Sequence, residues 1–157
     1  MDLLDISSAV IWVDFFTILL SKVFHLGNSL NTWYSKFGIV AVMSDCLVII
    51  LGILIAKFLF PSADLVTLVL VSVLIQIIHD VLFYLFVIQT VPLGHNSVID
   101  LFKSYASENS WKILVADSIM MASSVILADY LSTLKSQYVS FIGLLGVYSM
   151  TYIIYTK

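Results

Sequence analysis

Long apolar runs dominate this chain, and each of the first four carries one aspartate deep within it. The runs cover about 6–26, 38–60, 65–91, 112–131 and 138–155. About 18 or more predominantly apolar residues are enough for a helix to cross the hydrocarbon core of a bilayer. The chain is therefore expected to be all-α: an integral membrane helical bundle of about five transmembrane helices in a single membrane domain, 1–157. Composition agrees, with 61% hydrophobic and only 11% charged residues, where soluble chains carry about 25% charged. Both prolines, Pro61 and Pro92, fall in links, as continuous helices require.

The first run is interrupted by Asp14, Lys22 and His25. The N-terminus has no basic segment ahead of it, so this run is expected to stay in the mature chain rather than act as a cleaved signal. The turn Pro61-Ser62-Ala63-Asp64 offers Ser62 or Asp64 as the N-cap of the next helix. The third run is the longest and is expected to tilt or protrude.

The chain also repeats itself. Leu26-Gly27-Asn28-Ser29 returns as Leu93-Gly94-His95-Asn96-Ser97. After the first come Leu30, Trp33, Tyr34 and Phe37; after the second come Val98, Leu101, Phe102 and Tyr105. Each set is an i, i+3, i+4, i+7 apolar stripe, the mark of an amphipathic helix. Val13-Asp14-Phe15-Phe16 and His79-Asp80-Val81-Leu82 precede the two Leu-Gly pairs at almost the same distance. The reading is two parallel helix–interfacial helix–helix repeats, about 6–60 and 65–131, plus an extra C-terminal helix at about 138–155. Ser97-x-x-Asp100 has the form of a helix-start capping motif. Residues 97–108 are expected either to lie flat in the membrane interface or to pack on the bundle.

A charge in hydrocarbon is expensive, so Asp14, Asp45, Asp80 and Asp117 are where function should be sought. Counted from the Lys-rich boundary at about 1.5 Å per residue, all four fall roughly 8–18 Å from the same face. They are expected to form one intramembrane polar layer with Gln76, Tyr84 and Ser124. No Lys lies mid-run to pair with them. A buried carboxylate in that position holds its proton or shares a proton or cation with a neighbour. Gly52 and Ala56 share the face of Asp45, and Ser124 and Ala128 share that of Asp117, so these acids are expected to face protein. Gln76, Asp80 and Tyr84 form an i, i+4, i+8 ladder, and Ser7, Asp14, Thr17, Ser21 and His25 share a broad face of the first run. Two roles compete for the layer. The Asp residues either fix helix register through hydrogen bonds or line a proton or cation path. The nearly pure Val, Ile and Leu composition of the outer halves of runs two and three favours register.

Other chemistries find little footing. With one cysteine, Cys46, there is no intrachain disulfide and no thiolate cluster, and the residue reads as a small packed hydrophobe. No His-x-x-x-His pair occurs, and His79, adjoining Asp80, is expected to point to another face. No nucleophile elbow, Walker loop or GxGxxG is found. The chain is read as non-enzymatic, without cofactor or metal. A net charge of −3 with no arginine gives no sign of nucleic-acid binding. Tyr148, Tyr152 and Tyr155 read as a packing stripe with an interfacial anchor. Lys22, Lys36, Lys103, Lys112 and Lys157 fall on one side of the expected topology, against Lys57 and Lys135 on the other. That imbalance puts the long connectors and the C-terminus on the cytoplasmic side.

Residues 79–131 are the best-marked stretch. They include Pro92-Leu93-Gly94-His95-Asn96-Ser97, Asp100-Leu101-Phe102-Lys103-Ser104-Tyr105-Ala106, and Lys112 through Asp117-Ser118. This stretch resembles small polytopic membrane proteins of large icosahedral DNA viruses that infect algae and amoebae. The resemblance implies a location, the lipid membrane beneath a viral capsid, with capsid or other membrane proteins as partners. It transfers no active-site residue. The expected function is a structural membrane protein in contact with the lipid bilayer and partner proteins, with homo-oligomer formation possible. The alternative is a small proton or cation channel or transporter that uses the Asp layer.

Overall fold

The computed structural model describes residues 1–24 and 27–156. Two anticipated features, His25 and the Leu26 that opens the first repeated motif, lie outside the described residues, as does Lys157. The described residues form helices and no strand.

Helix α1 spans Leu3–Phe24 and starts on Asp2, whose carboxylate accepts from the N–H groups of Leu4 (2.9 Å) and Asp5 (3.0 Å). The short α2, Asn28–Phe37, runs directly into α3, Ile39–Leu59, through Gly38. Gly38 sits at φ +52°, a left-handed conformation that suits a residue without Cβ. Helix α4, Leu65–Phe83, is capped by Asp64, which accepts from Thr67 N–H at 3.0 Å. It widens into a π-helical turn over Tyr84–Ile88, closed by Gln89 N–H to the Tyr84 carbonyl at 3.0 Å. Then follow α5 (Ser97–Asn109), α6 (Lys112–Ser132) and α7 (Ser136–Ile153). The cap of α5 is Asn96, not Ser97: its side chain accepts from Val98 and Ile99 N–H. Asp100 instead turns back to Gly94 N–H at 3.1 Å, because the preceding loop leaves that donor free.

Four helical stretches, Leu3–Phe24, Ile39–Leu59, Leu65–Ile88 and Lys112–Ser132, are long and apolar enough to cross a membrane. Helix α7 occupies the fifth expected run but is not among them, since Ser136, Gln137, Ser140, Ser149 and Thr151 dilute it. It runs parallel to α1 and close against it. A Cβ on Gly143 would come within 2.5 Å of Ser8 Oγ, and one on Gly146 within 2.8 Å of Ile11 Cγ2. Small residues of this kind let two helix backbones approach. In the space so gained, Ser8 Oγ donates to the Val139 carbonyl (3.3 Å) and Trp12 Nε1 to that of Ile142 (3.0 Å).

Helix α1 is the hub, packed on α7, α6 and α3, while α4 closes the bundle against α6 and α3. The long helices alternate in direction, so α2 and α5 meet at one end and pack on each other. Lys22 reaches the Thr156 carbonyl at that end, and Lys57 reaches the Met1 carbonyl at the other.

Unlike a soluble bundle, this one is apolar on its outside as well as through most of its core. Phe16, Leu47, Leu51, Phe58, Leu70, Leu74, Ile119 and Leu144 are exposed on the outside. Asp14, Ser21, Ser72, Gln76 and Ser124 are buried within.

Candidate functional site

The buried acids gather below α2 and α5. Asp45 lies seven residues beyond Gly38, and the sharp turn at that glycine folds α2 back over it. Trp33 Nε1 donates to both carboxylate oxygens of Asp45, at 3.0 and 3.3 Å, and the Tyr34 hydroxyl donates at 3.1 Å. Trp33 and Tyr34 are only 5% and 4% exposed. Burial, then the nearby Asp45 and Asp14 carboxylates, push the Tyr34 phenol well above its usual range. The neutral phenol is therefore the form that donates.

Asp14, on α1, is fully buried. One oxygen faces the Cys46 thiol at 3.8 Å, and the other has no hydrogen-bond partner among the described residues. Asp14 and Asp45 lie within electrostatic reach of each other. On α4, Asp80 accepts from Gln76 Nε2 at 2.8 Å, and its second oxygen is buried without a partner. His79 does not point elsewhere, as adjacency had suggested. Its ring bends along the helix, placing Nδ1 3.1 Å from the same Asp80 oxygen, and stacks on Phe83. Asp117, on α6, is partly buried and within electrostatic reach of Asp80 and Asp45. No described side chain donates to it. Tyr105 of α5 is half-buried, and burial followed by Asp117, Asp45 and Glu108 raises its phenol.

Asp14, Asp45, Asp117 and Asp80 thus lie, in that order, each within electrostatic reach of the next. Two expected members stand apart. Tyr84 is exposed, because it lies where α4 gives way to the π turn, and it hydrogen-bonds to no described side chain. Ser124 is buried, but about 10 Å farther along α6 than Asp117. Ser72, missed in the sequence reading, is fully buried on α4, and the hydroxyls of Ser72 and Ser124 both lack a partner. Its signal was present: Ser72-Gln76-Asp80 continues the i, i+4 ladder in the direction opposite to Tyr84. Past these serines the core is apolar, with Ile53, Ala56, Leu68, Val125, Ala128 and Leu131.

The amphipathic stripes turn inward. Leu30, Phe37, Val98, Leu101 and Phe102 pack against the core, and Phe102 lies 4.8 Å from Trp33 and 6.0 Å from Phe83, centroid to centroid. Through this stripe α5 packs on the bundle. Glu108, another residue missed in the sequence, reaches across to α2 and accepts from Asn28 and Ser29 N–H at 2.9 Å each.

No group of three His, Cys, Asp or Glu side chains among the described residues is arranged to hold a metal ion. The cluster's own chemistry is that of carboxyl groups: accepting hydrogen bonds from indole, phenol and amide, and sharing protons with one another. Comparison with protein-family models, curated proteins and solved structures finds no match to this chain.

Proposed function

We propose that this chain is a non-enzymatic, multi-pass integral membrane protein whose capped carboxylate cluster sets helix register. The observation that carries this reading is the apolar exterior of the long helices, with Asp14, Ser21, Ser72, Gln76 and Ser124 buried inside. Lipid solvates the first and the bundle must satisfy the second. Helix α7, seated along α1, serves as the fifth span. The two helix–short helix–helix units act as parallel repeats, a reading supported by their shared element order and by Gly38 and Ser110, which end the short helices with nearly the same backbone angles. The Lys-rich end that bears α2 and α5 faces the cytoplasm. Within this proposal, the sequence resemblance points to the membrane beneath a viral capsid as the location, with capsid or other membrane proteins as partners.

The test is topology in membranes. In a Cys46→Ser background, cysteines placed at Ser62 and Thr133 are expected to react with an impermeant thiol reagent from one side, and a cysteine at Asn109 from the other. Labelling of all three from one side, or release from membranes by alkaline carbonate, overturns the proposal.

A second reading, proton or cation handling, is favoured by the unpartnered oxygens of Asp14 and Asp80 and by the Ser72 and Ser124 hydroxyls beyond them. The apolar core past the serines weighs against a through path. Protein in liposomes loaded with a pH-sensitive dye separates the two. Flux between about pH 5 and 8 supports the second reading, and its absence removes it.

A further inference from the structure

We propose that α2 is a hinged plug closing the carboxylate cluster from the Lys-rich end, and that Glu108 of α5 is the latch that holds it shut. The proposal rests on the reading above only in treating the buried cluster as the site.

A helix of ten residues is too short to be stable on its own, so contacts decide where α2 sits. Its first N–H groups have no cap from their own segment, because the N-cap position is Gly27. Glu108, some 80 positions away, supplies the cap: one carboxylate oxygen takes Asn28 N–H and the other takes Ser29 N–H. The missing side chain at Gly27 makes room for it, since a Cβ there would press on Glu108 Oε1 at 3.3 Å. At the opposite end, Gly38 supplies a joint free of Cβ. Between latch and joint, Trp33 and Tyr34 cover Asp45, with Asp14 and Cys46 behind it. The outer side of α2 is polar, with Asn28, Thr32, Ser35 and Lys36 exposed, so among the described residues no side chain covers these positions. Helix α5 needs no such help, being capped by its own Asn96. Lifting α2 removes the donors from Asp45 and opens the cluster to water.

Cys46 is a built-in reporter, buried in the closed state beside Asp14. In detergent-solubilised protein, Glu108→Ala is expected to speed modification of Cys46 by a small methanethiosulfonate about tenfold, as loss of a helix cap shifts a local opening equilibrium. Glu108→Gln, which keeps one acceptor, falls between Ala and wild type. Asp100→Asn, on the same helix but bonded to Gly94, stays at the wild-type rate. Hydrogen exchange in Glu108→Ala should accelerate across residues 28–37 while α6 and α7 keep their protection. An unchanged Cys46 rate overturns the latch, and so does acceleration spread through the whole bundle. Because the assay needs no bilayer, its failure leaves the membrane reading standing, and a failed topology test leaves the latch standing.

Discussion

The segments α1–α2–α3 and α4–α5–α6 share one plan and use it differently. In each, a long helix is followed by a short amphipathic one and a second long one. The short helices end on Gly38 (φ 52°, ψ −124°) and Ser110 (φ 50°, ψ −129°), and the acids Asp45 and Asp117 each lie seven residues beyond. The side chains then diverge. Counted from Ser29 and Ser97, the positions of Trp33 and Tyr34 are taken by Leu101 and Phe102. The first short helix therefore carries two donors for its acid, and the second carries none there. Instead α5 braces α2, with Phe102 against Trp33 and Glu108 on the α2 N-terminus. The first short helix covers its acid, and the second packs against the first.

Removing each acid in turn separates the two halves. Asp45→Ala strands the buried Trp33 and Tyr34 donors and is expected to cost roughly 2–4 kcal/mol, whereas Asp117→Ala strands nothing and should cost less than about 1 kcal/mol. Thermal unfolding in detergent reads the difference, and equal losses would remove the asymmetry. Asp45→Asn keeps an acceptor and should recover most of the Ala loss. Trp33→Phe removes one donor and some ring volume and is expected to cost about 1–2 kcal/mol. Its counterpart Leu101→Ala removes no donor from Asp117, so its effect on thermal unfolding should simply add to that of Asp117→Ala.

The shared joint can be tested in the stabilising direction. Ser110 holds a conformation suited to glycine, so Ser110→Gly should raise stability by about 1 kcal/mol and Gly38→Ser should lower it by at least as much. If Ser110→Gly destabilises, the two joints are not equivalent.

The smallest effect expected is with pH. Glu108 is held below the ordinary carboxyl value of 4.5 by hydrogen bonds from Ser29 and then from Asn28 N–H. A depressed value in the folded state means its contribution is full above pH 4.5 and fades as pH falls through that lower value. Exchange at Asn28 and Ser29 should therefore rise in acid for wild type, with the step missing in Glu108→Gln.

Much of the helical layout was legible in the residues. The expected run 38–60 is the helix Ile39–Leu59, 112–131 is Lys112–Ser132, and the Asp64 cap was visible in the turn that carries it. The close packing of Gly52, Ala56, Ser124 and Ala128 was legible as well, because small residues at helical spacing mark a face that another helix approaches. His79, Tyr84 and the direction of the α2 stripe were not. His79 depends on a side-chain rotation, and Tyr84 on a π turn that periodicity does not record. An apolar stripe looks the same whether it meets lipid or a neighbouring helix.

Residue spacing alone sets out the long helical segments and where the acids sit along them. Hydrophobic spacing and capping are local properties, written within a few turns of chain. Which donor meets which carboxylate comes from the packed bundle: Trp33 and Tyr34 on Asp45, Cys46 on Asp14, and the start of α2 on Glu108. These pairings depend on how each helix is rotated about its axis and on a backbone reversal at Gly38. The packing of all the helices together sets both, and no single segment encodes them.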